Sequence, residues 1–274
     1  MLHFRQREQL VGAFSEFQQL HQLLYDNAAS LKDKGIDFAM DRMNCHLQRH
    51  VRKHGLKGGI LVYDFSDYFN SAPHGPIYRE NERRITDGRV RAVANGLMED
   101  FGPVGFGLGS QVSQIDALML PNGLDHFIKE ELRIRGAGRY MDDGYLIHED
   151  VAYLKTCQEA VLTKCRELGI RMNRKKTRIV KLGEARFLKT KFLVTQTGRV
   201  IRKMHRKSAR KMREKLKKFR RWVDEGTMTR EDVRTSFESW SGHMRRGNSW
   251  KVLRRMNKYY RKLYGSGDWR DNHV

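Results

Sequence analysis

Three aspartates have the residue type and the spacing that metal-assisted phosphoryl transfer requires. Asp142 and Asp143 stand side by side in the stretch GRYMDDGYLIHED, and Asp64 ends an apolar run 78 residues earlier. Carboxylates close to a core need a partner, and Mg²⁺ accepts oxygen ligands from one or two carboxylates plus substrate phosphates. Two such ions, about 4 Å apart, stabilise the attacking and leaving oxygens of an in-line displacement. The three acids therefore predict a site for two Mg²⁺ ions.

Each acidic stretch also has a purely structural explanation. Asp-Gly between apolar runs is a strong hairpin signal, so Asp143 and Gly144 could form only the tip of a β-ribbon. Asp64 could cap the turn that follows its strand. Taken one at a time, both explanations stay open, and it is the combination of a single acid with a distant pair that favours chemistry.

The elements that must position these acids are a strand, a hairpin and several helices. GGILVYD is typical of a buried strand that ends in Asp64, and apolar arms flank the acidic pair. Helical periodicity is predicted for four stretches, marked by Leu10, Phe14, Phe17 and Leu24; Ile36, Met40, Met43 and Leu47; Val90, Val93 and Leu97; and Leu154, Cys157, Val161, Cys165 and Leu168. A further apolar helix is expected to reach about Leu132. The order α, β, α, α, β-hairpin, α, β, β predicts an α+β fold with helices packed on an antiparallel sheet.

The last third of the chain is predicted to be a basic helical bundle. Between Arg199 and Lys262 there are 23 Lys and Arg against 6 Asp and Glu, in a chain of net charge +22. An apolar stripe containing Leu216 gives the first helix a buried side, so its basic face is turned to solvent and fits phosphate contact. Thr229 and Asp232 form a capping box, and Ser249 opens a third helix. The tryptophans interpreted as bundle core are Trp222, Trp240 and Trp250.

Composition indicates the cellular compartment in which the protein is expected to work. The chain has 274 residues and three cysteines without a C-x-x-C pair, which favours a reducing compartment. No run approaches eighteen apolar residues, and the first residues lack the apolar core of a signal peptide. We expect a cytoplasmic protein with no membrane partner. His46, His50 and His54 recur at helical spacing and could form a zinc-binding face, but no cysteine or acid completes it.

The motifs together resemble the palm of reverse transcriptases over residues 27–200. YMDD followed by aliphatics, and VYDFSDYFNS upstream, carry the likeness; LGIRMNRKKTRI resembles a later palm motif, and FLKTKF resembles the primer-grip turn with Lys189 in place of the usual glycine. The resemblance implies a right-hand polymerase fold with partial helical fingers (1–56), a catalytic palm (57–200) and a basic helical thumb (201–274). The basic β-hairpin of the fingers is not found, so the fingers are expected to be shortened, lost to a late start or completed by an accessory protein.

The resemblance also assigns roles to individual residues. Asp64, Asp142 and Asp143 match the catalytic metal ligands, joined by the backbone carbonyl of Phe65. Phe69 falls on the steric-gate position that rejects a ribose 2′-hydroxyl, although it and Tyr68 also fit plain core aromatics. The nucleotide-contacting positions that the likeness implies are Phe65, Asp67, Tyr68, Phe69, Leu108, Gly109, Gln114 and Lys176.

The loop GFGLGSQVSQ narrows the likeness to a subfamily. Leu108 stands where many reverse transcriptases have glutamine, and the loop closes with Ser113 and Gln114, as in the enzymes of diversity-generating retroelements, although Gly107 replaces a common proline. This implies error-prone RNA-templated DNA synthesis from dNTPs with Mg²⁺, on template RNA with a primer or growing cDNA, in a bacterial or phage-infected cell. The alternatives are a phage-defence or group II intron-like reverse transcriptase and a non-catalytic nucleic-acid-binding relic.

Overall fold

A computed structural model describes residues 23–107, 109–205 and 207–265, and these residues divide into two compact units. The first unit comprises the described residues up to Leu188 together with 196–198; the second comprises 189–195 and the described residues from Arg199 onward. Among the described residues, no helix is both long and apolar enough to span a bilayer. The domain boundaries expected after residues 56 and 200 stay predictions.

The first unit combines helices with an antiparallel sheet. Its helices are α1 (Ile36–His54), α2 (Tyr68–Ser71), α3 (His74–Arg84), α4 (Gly88–Glu99), α5 (Gln111–Met119), α6 (Asn122–His126), which continues into a π-helical turn (Phe127–Glu131), and α7 (Val151–Glu167). Its strands are β1 (Gly59–Asp64), β2 (Gly136–Tyr140), β3 (Asp143–His148), β4 (Arg178–Lys181) and β5 (Arg186–Phe187). The four-stranded sheet has the order β2-β3-β1-β4, with every neighbouring pair antiparallel.

The sequence pattern accounts for the sheet and for the helices that pack on it. β1 is buried along nearly its whole length because helices pack against the sheet, and α7 contacts β1 and β3. α1 places Met40, Met43 and Leu47 in the core, as its 3.6-residue period predicts. The helix predicted through Leu24 is wrong at that residue, which instead precedes a turn closed by the Asn27 amide. Its other marker residues, Leu10, Phe14 and Phe17, lie outside the described residues.

The second unit is a β-hairpin followed by three helices. The strands are β6 (Thr190–Val194) and β7 (Val200–Lys203), and the helices are α8 (Lys207–Asp224), α9 (Arg230–Arg245) and α10 (Trp250–Tyr264). The predicted capping box is confirmed, since Thr229 Oγ1 accepts from the Asp232 amide and the Asp232 carboxylate accepts from the Thr229 amide. The core is formed by Met212, Leu216, Phe219, Val233, Phe237, Met256, Tyr260 and Tyr264.

Two of the three tryptophans assigned to this core are solvent-exposed. Trp222 is 45% and Trp250 57% exposed, because Phe237 and Tyr260 stack at 4.7 Å and fill the centre. Trp250 instead lies under the Arg254 guanidinium at 5.5 Å. Trp240 packs against the core by stacking on Phe237, whereas Trp222 meets the Phe219 ring at 5.7 Å and stays exposed.

Candidate active site

The three aspartates meet where strands of the first unit end. Asp64 is the last residue of β1 and pairs in register with Asp143, the first residue of β3. Asp142 lies in the two-residue turn between β2 and β3, after Met141, whose φ of 51° is left-handed. The backbone amide of Phe65 donates to the Asp142 carbonyl at 3.1 Å. The fold therefore brings the single acid and the acidic pair together, and we call Asp64, Asp142 and Asp143 the carboxylate cluster.

The explanation of Asp143 and Gly144 as a hairpin tip is wrong. Both residues are in β3, and Met141 with Asp142 makes the turn. Gly144 is needed for a different reason, since a Cβ there would lie 2.1 Å from the Tyr63 ring. The glycine thus permits close packing of β1 against β3 next to the acids.

Burial and mutual repulsion dominate the electrostatics of the cluster. Asp64 is only 6% exposed. Burial, together with the negative charges of Asp142 and Asp64, raises the pKa of Asp143 to about 7. Burial likewise raises the pKa of Asp142, with a smaller contribution from Asp64. The cluster therefore holds more negative charge than its surroundings stabilise.

One lysine supplies positive charge at the cluster. Lys176 Nζ donates to both carboxylate oxygens of Asp64 at 2.8 Å, and this contact raises the pKa of the ammonium group. The lysine follows a turn that is tied to β1 by the Asn173 amide, which donates to the Asp64 carbonyl at 2.8 Å. Its side chain is 63% exposed, so it can leave Asp64 without disturbing the core.

The donor chemistry of the cluster fits a hard cation. Across the described ranges, no three or more His, Cys, Asp or Glu side chains are grouped closely enough to hold a metal ion, and Lys176 takes the free oxygens of Asp64. These three neighbouring carboxylates nevertheless form the oxygen-rich, anionic environment that a divalent cation stabilises, and burial with nearby negative charge raises the pKa of Asp142 and of Asp143. The residues present thus suit Mg²⁺ in type, with Lys176 as the competing cation.

A buried ion pair behind the acidic turn was not predicted from the sequence. Arg139 is 2% exposed and makes a two-point contact with Asp125. Its only sequence signal is an arginine directly after Gly138, at an inward-facing position of the short strand β2. That pattern does not reveal the partner.

The residues predicted to meet the triphosphate lie on α2 and just before it. Asp67 is exposed and has φ 49°, and its backbone carbonyl accepts from the amides of Asn70 and Ser71. The Tyr68 side chain is buried, and its hydroxyl donates to the Ala117 carbonyl at 2.9 Å. Phe69 is half-buried and meets the Phe106 ring edge-on at 5.9 Å. As a side chain, Tyr68 is a core aromatic, whereas Phe69 keeps a partly open face.

The glycine-rich loop is fastened to α2. The Phe106 amide donates to the Phe69 carbonyl at 2.6 Å, and the Gly105 amide donates to the Ala72 carbonyl at 2.8 Å. The hydroxyl of Ser113 accepts from the Gly107 amide at 3.0 Å. Loop and predicted gate residue are therefore placed together.

The other residues of the loop region that were predicted to contact the nucleotide are exposed or lie outside the described residues. Gly109 (φ 89°) and Gln114, on α5, are both exposed. Leu108 lies outside the described residues. Lys189, at the position of a usual glycine, has φ 63°, a region that favours glycine.

The predicted histidine face serves the fold. His46 Nδ1 lies 3.0 Å from the Tyr145 hydroxyl, and burial lowers its pKa to about 4. His50 Nε2 lies 2.8 Å from the Lys57 carbonyl. Both rings already have structural partners, and the part of the chain that is described has no such metal group.

Comparison with known proteins gives a fold and no family. No protein-family model and no curated protein matches the chain. A structure of telomerase from Candida albicans in complex with a TWJ fragment of telomeric RNA matches with a TM-score of 0.57 at 13% identity, covering 95% of this chain and 49% of that one. Apo telomerase from Candida tropicalis matches with a TM-score of 0.55 at 11% identity, covering 94% and 51%.

The fold is reverse-transcriptase-like. The chain spans about half the length of these telomerase chains. At such low identity the likeness concerns the backbone arrangement alone, so the roles of individual residues rest on the geometry described above.

Proposed function

We propose that this chain carries out RNA-templated DNA synthesis. The observation that carries the proposal is the meeting of Asp64 with Asp142 and Asp143 at adjoining strand ends, on a fold similar to that of telomerase. A single acid at one strand end facing an acidic pair on the neighbouring hairpin suits nucleotidyl transfer, in which the protein mainly holds anionic ligands around metal ions.

Within this proposal the carboxylate cluster and the Phe65 carbonyl would hold two Mg²⁺ ions. When bound, these ions would stabilise the attacking and leaving oxygens of the transfer. Lys176 is the residue that must yield, because its ammonium group occupies both oxygens of Asp64. Once released, its exposed side chain is free to contact phosphate oxygens.

Selection of the nucleotide would depend on α2 and the loop tied to it. Phe69 presents a ring at the predicted gate, and its own carbonyl receives the Phe106 amide, so loop and gate form one support. The dNTP contacts proposed here are Phe65, Asp67, Tyr68, Phe69, Leu108, Gly109, Gln114 and Lys176. The assignment to the retroelement subclass, with error-prone synthesis, depends on Leu108 and Gln114.

The second unit would bind template RNA and the primer or cDNA. Its three helices display lysines and arginines on surfaces that packing turns to solvent. Two of the similar telomerase structures contain telomeric RNA, which is consistent with this role. The phosphate groups of a nucleic acid are the polyanion that such a surface attracts. An accessory protein and a cytoplasmic setting complete the proposal.

Primer extension tests the function directly. The purified chain is given an RNA template with an annealed DNA primer, dNTPs and Mg²⁺, and the same reaction is run with a DNA template, with ribonucleotides or with EDTA. Extension that needs the RNA template, dNTPs and the divalent ion supports the proposal. Tight RNA binding without extension under any of these conditions would instead favour the non-catalytic nucleic-acid-binding alternative.

A further inference from the structure

Arg139 is a fully buried cation directly behind the acidic turn. Its Nε donates to Asp125 Oδ1 at 2.8 Å and its Nη2 to Asp125 Oδ2 at 2.6 Å. Asp125 is itself buried on α6. This planar two-point contact fixes the guanidinium in orientation as well as in position.

The remaining donors of Arg139 reach two backbone carbonyls. Nη1 donates to the Met141 carbonyl at 2.9 Å, and Nη2 donates to the Leu118 carbonyl at 3.2 Å. Met141 has φ 51°, a conformation that side-chain-bearing residues adopt rarely and only where the surroundings hold it. The guanidinium therefore supports the left-handed residue that immediately precedes Asp142.

The backbone of Arg139 is also held from the edge of the sheet. Its amide donates to the Asp26 carbonyl at 3.2 Å, and its carbonyl accepts from the Ala28 amide at 3.1 Å. Because the main chain and the side chain of Arg139 are both fixed, its guanidinium meets the Met141 carbonyl at one defined position. Lysine would keep the charge but cannot reach Asp125 with two donors and Met141 with a third in the same plane.

We propose that Arg139, oriented by Asp125, is a positioning residue for the carboxylate cluster. It acts through the Met141 carbonyl, which sets the course of the turn that carries Asp142 and leads into Asp143. The proposal rests on the proposed function for its effect on rate, but its effect on the turn can be measured without any activity.

The test compares Arg139→Lys and Asp125→Glu, which keep the buried charges, with Val161→Ala, which removes core volume on α7. Amide hydrogen exchange is followed at Phe65, whose N–H donates to Asp142, and at residues 139–144, relative to the remaining sheet. We expect at least tenfold faster exchange at these amides in both charge-retaining variants, and unchanged relative exchange in Val161→Ala.

The activity arm measures kcat and the KM for dNTP in the same variants. Arg139→Lys should lower kcat by about 10- to 100-fold, the usual loss when an outer partner of a ligand set is changed, while KM for dNTP stays within about threefold. Relative exchange equal to that of Val161→Ala, or a kcat loss no larger than in that control, would overturn the positioning role. If the unaltered protein makes no cDNA, the proposed function fails, and the exchange result still decides whether Arg139 holds the turn.

Discussion

The carboxylate cluster and the basic helices α8–α10 both concentrate charge of one sign, but they differ in access to water. Asp64 is nearly buried, and its contacts run to Lys176 and to fixed backbone groups. On α8, in contrast, Arg210 pairs with Glu214 and Arg220 with Asp224 on a helix face open to solvent. The first region holds a few charges in fixed geometry, and the second holds many charges loosely.

The contrast predicts how each region responds to substitution. Removing a charge from water costs several kcal/mol unless a partner stabilises it, so each buried charge has a specific neighbour and matters individually. Exposed pairs contribute about 0–1 kcal/mol, so the exposed charges act mainly through their number. Single changes should therefore have large effects in the first region and graded effects in the second.

The largest effect is expected at the carboxylate cluster. Asp142→Asn should lower the extension rate roughly a thousandfold, because a metal ligand is lost. This corresponds to a loss of at least about 4 kcal/mol of transition-state stabilisation. Asp64→Asn and Asp143→Asn should behave alike. RNA binding should stay within about threefold, since the basic helices are unchanged. Single-turnover extension and fluorescence anisotropy measure the two quantities.

The matched control for that series is Asp100→Asn, an exposed aspartate outside the cluster. It should extend primers at the rate of the unaltered protein. A near-normal rate in any of the three cluster variants would remove the two-metal assignment.

The next effect concerns stability and contrasts a buried with an exposed ion pair. Asp125→Ala leaves the Arg139 guanidinium buried without its carboxylate and should lower the free energy of unfolding by about 3–5 kcal/mol. Glu231→Ala breaks the 2.8 Å pair with Arg234, whose side chain is 42% exposed while that of Glu231 is 64% exposed. This change should lower the free energy of unfolding by less than about 1 kcal/mol. Urea unfolding measures both, and equal losses would contradict the contrast.

Sequence pattern predicted the elements well wherever local chemistry decides them. The apolar stripe of α1, the strand ending in Asp64 and the Thr229 capping box depend on residues within one or two turns of each other. Trp222 and Trp250 were assigned wrongly because a large apolar residue next to a core stripe can pack on either side of it. Which side is chosen depends on how the helices pack, because the stacked rings of Phe237 on α9 and Tyr260 on α10 fill the centre.

The candidate site divides in the same way. The acids themselves could be chosen from the sequence, since three carboxylates at strand ends suit one chemistry. The ion pairs at and behind the site could not be predicted from the sequence. Lys176 lies 112 residues from Asp64 in the chain, and Asp125 lies 14 residues from Arg139. Long-range pairing of charges depends on how the elements pack, and no local pattern encodes it.

A smaller effect should appear as a pH dependence of stability. Asp116, on α5, is 2% exposed, and burial raises its pKa to about 7. The folded state therefore keeps its proton at pH values where the unfolded state has released it, so stability falls as pH rises from about 4 to 7 and then levels. Between pH 5 and pH 8 the free energy of unfolding should fall by about 3 kcal/mol on this account.

Asp116→Asn isolates that contribution, because the amide does not titrate. The difference in unfolding free energy between Asp116→Asn and the unaltered protein should grow in favour of the variant as pH rises from 5 to 8. Asp100→Asn, at an exposed position, should show no such trend. A pH-independent difference for Asp116→Asn would mean that this carboxyl is ionised in the folded state throughout.

The smallest effect per residue belongs to the basic helices. Lys207, Lys211 and Lys218 are exposed and lie along one stripe of α8 by its 3.6-residue period. Each phosphate contact adds about −0.7 to −0.9 to the slope of log K against log salt, so changing all three to Gln should reduce the slope by about 2 to 3. One Lys→Gln change should alter RNA affinity only about two- to fourfold near physiological salt. Glutamine keeps the helix propensity close to that of lysine, so the fold is preserved.

The matched control for this triple variant changes three exposed lysines of the first unit to Gln and thus removes the same net charge; these are Lys53, Lys155 and Lys181. If both triple variants lower the slope equally, RNA responds to total charge, and the helices are not its specific surface. A reduced slope in the α8 variant alone would place the nucleic-acid contact on α8, where many weak contacts replace the few fixed ones of the carboxylate cluster.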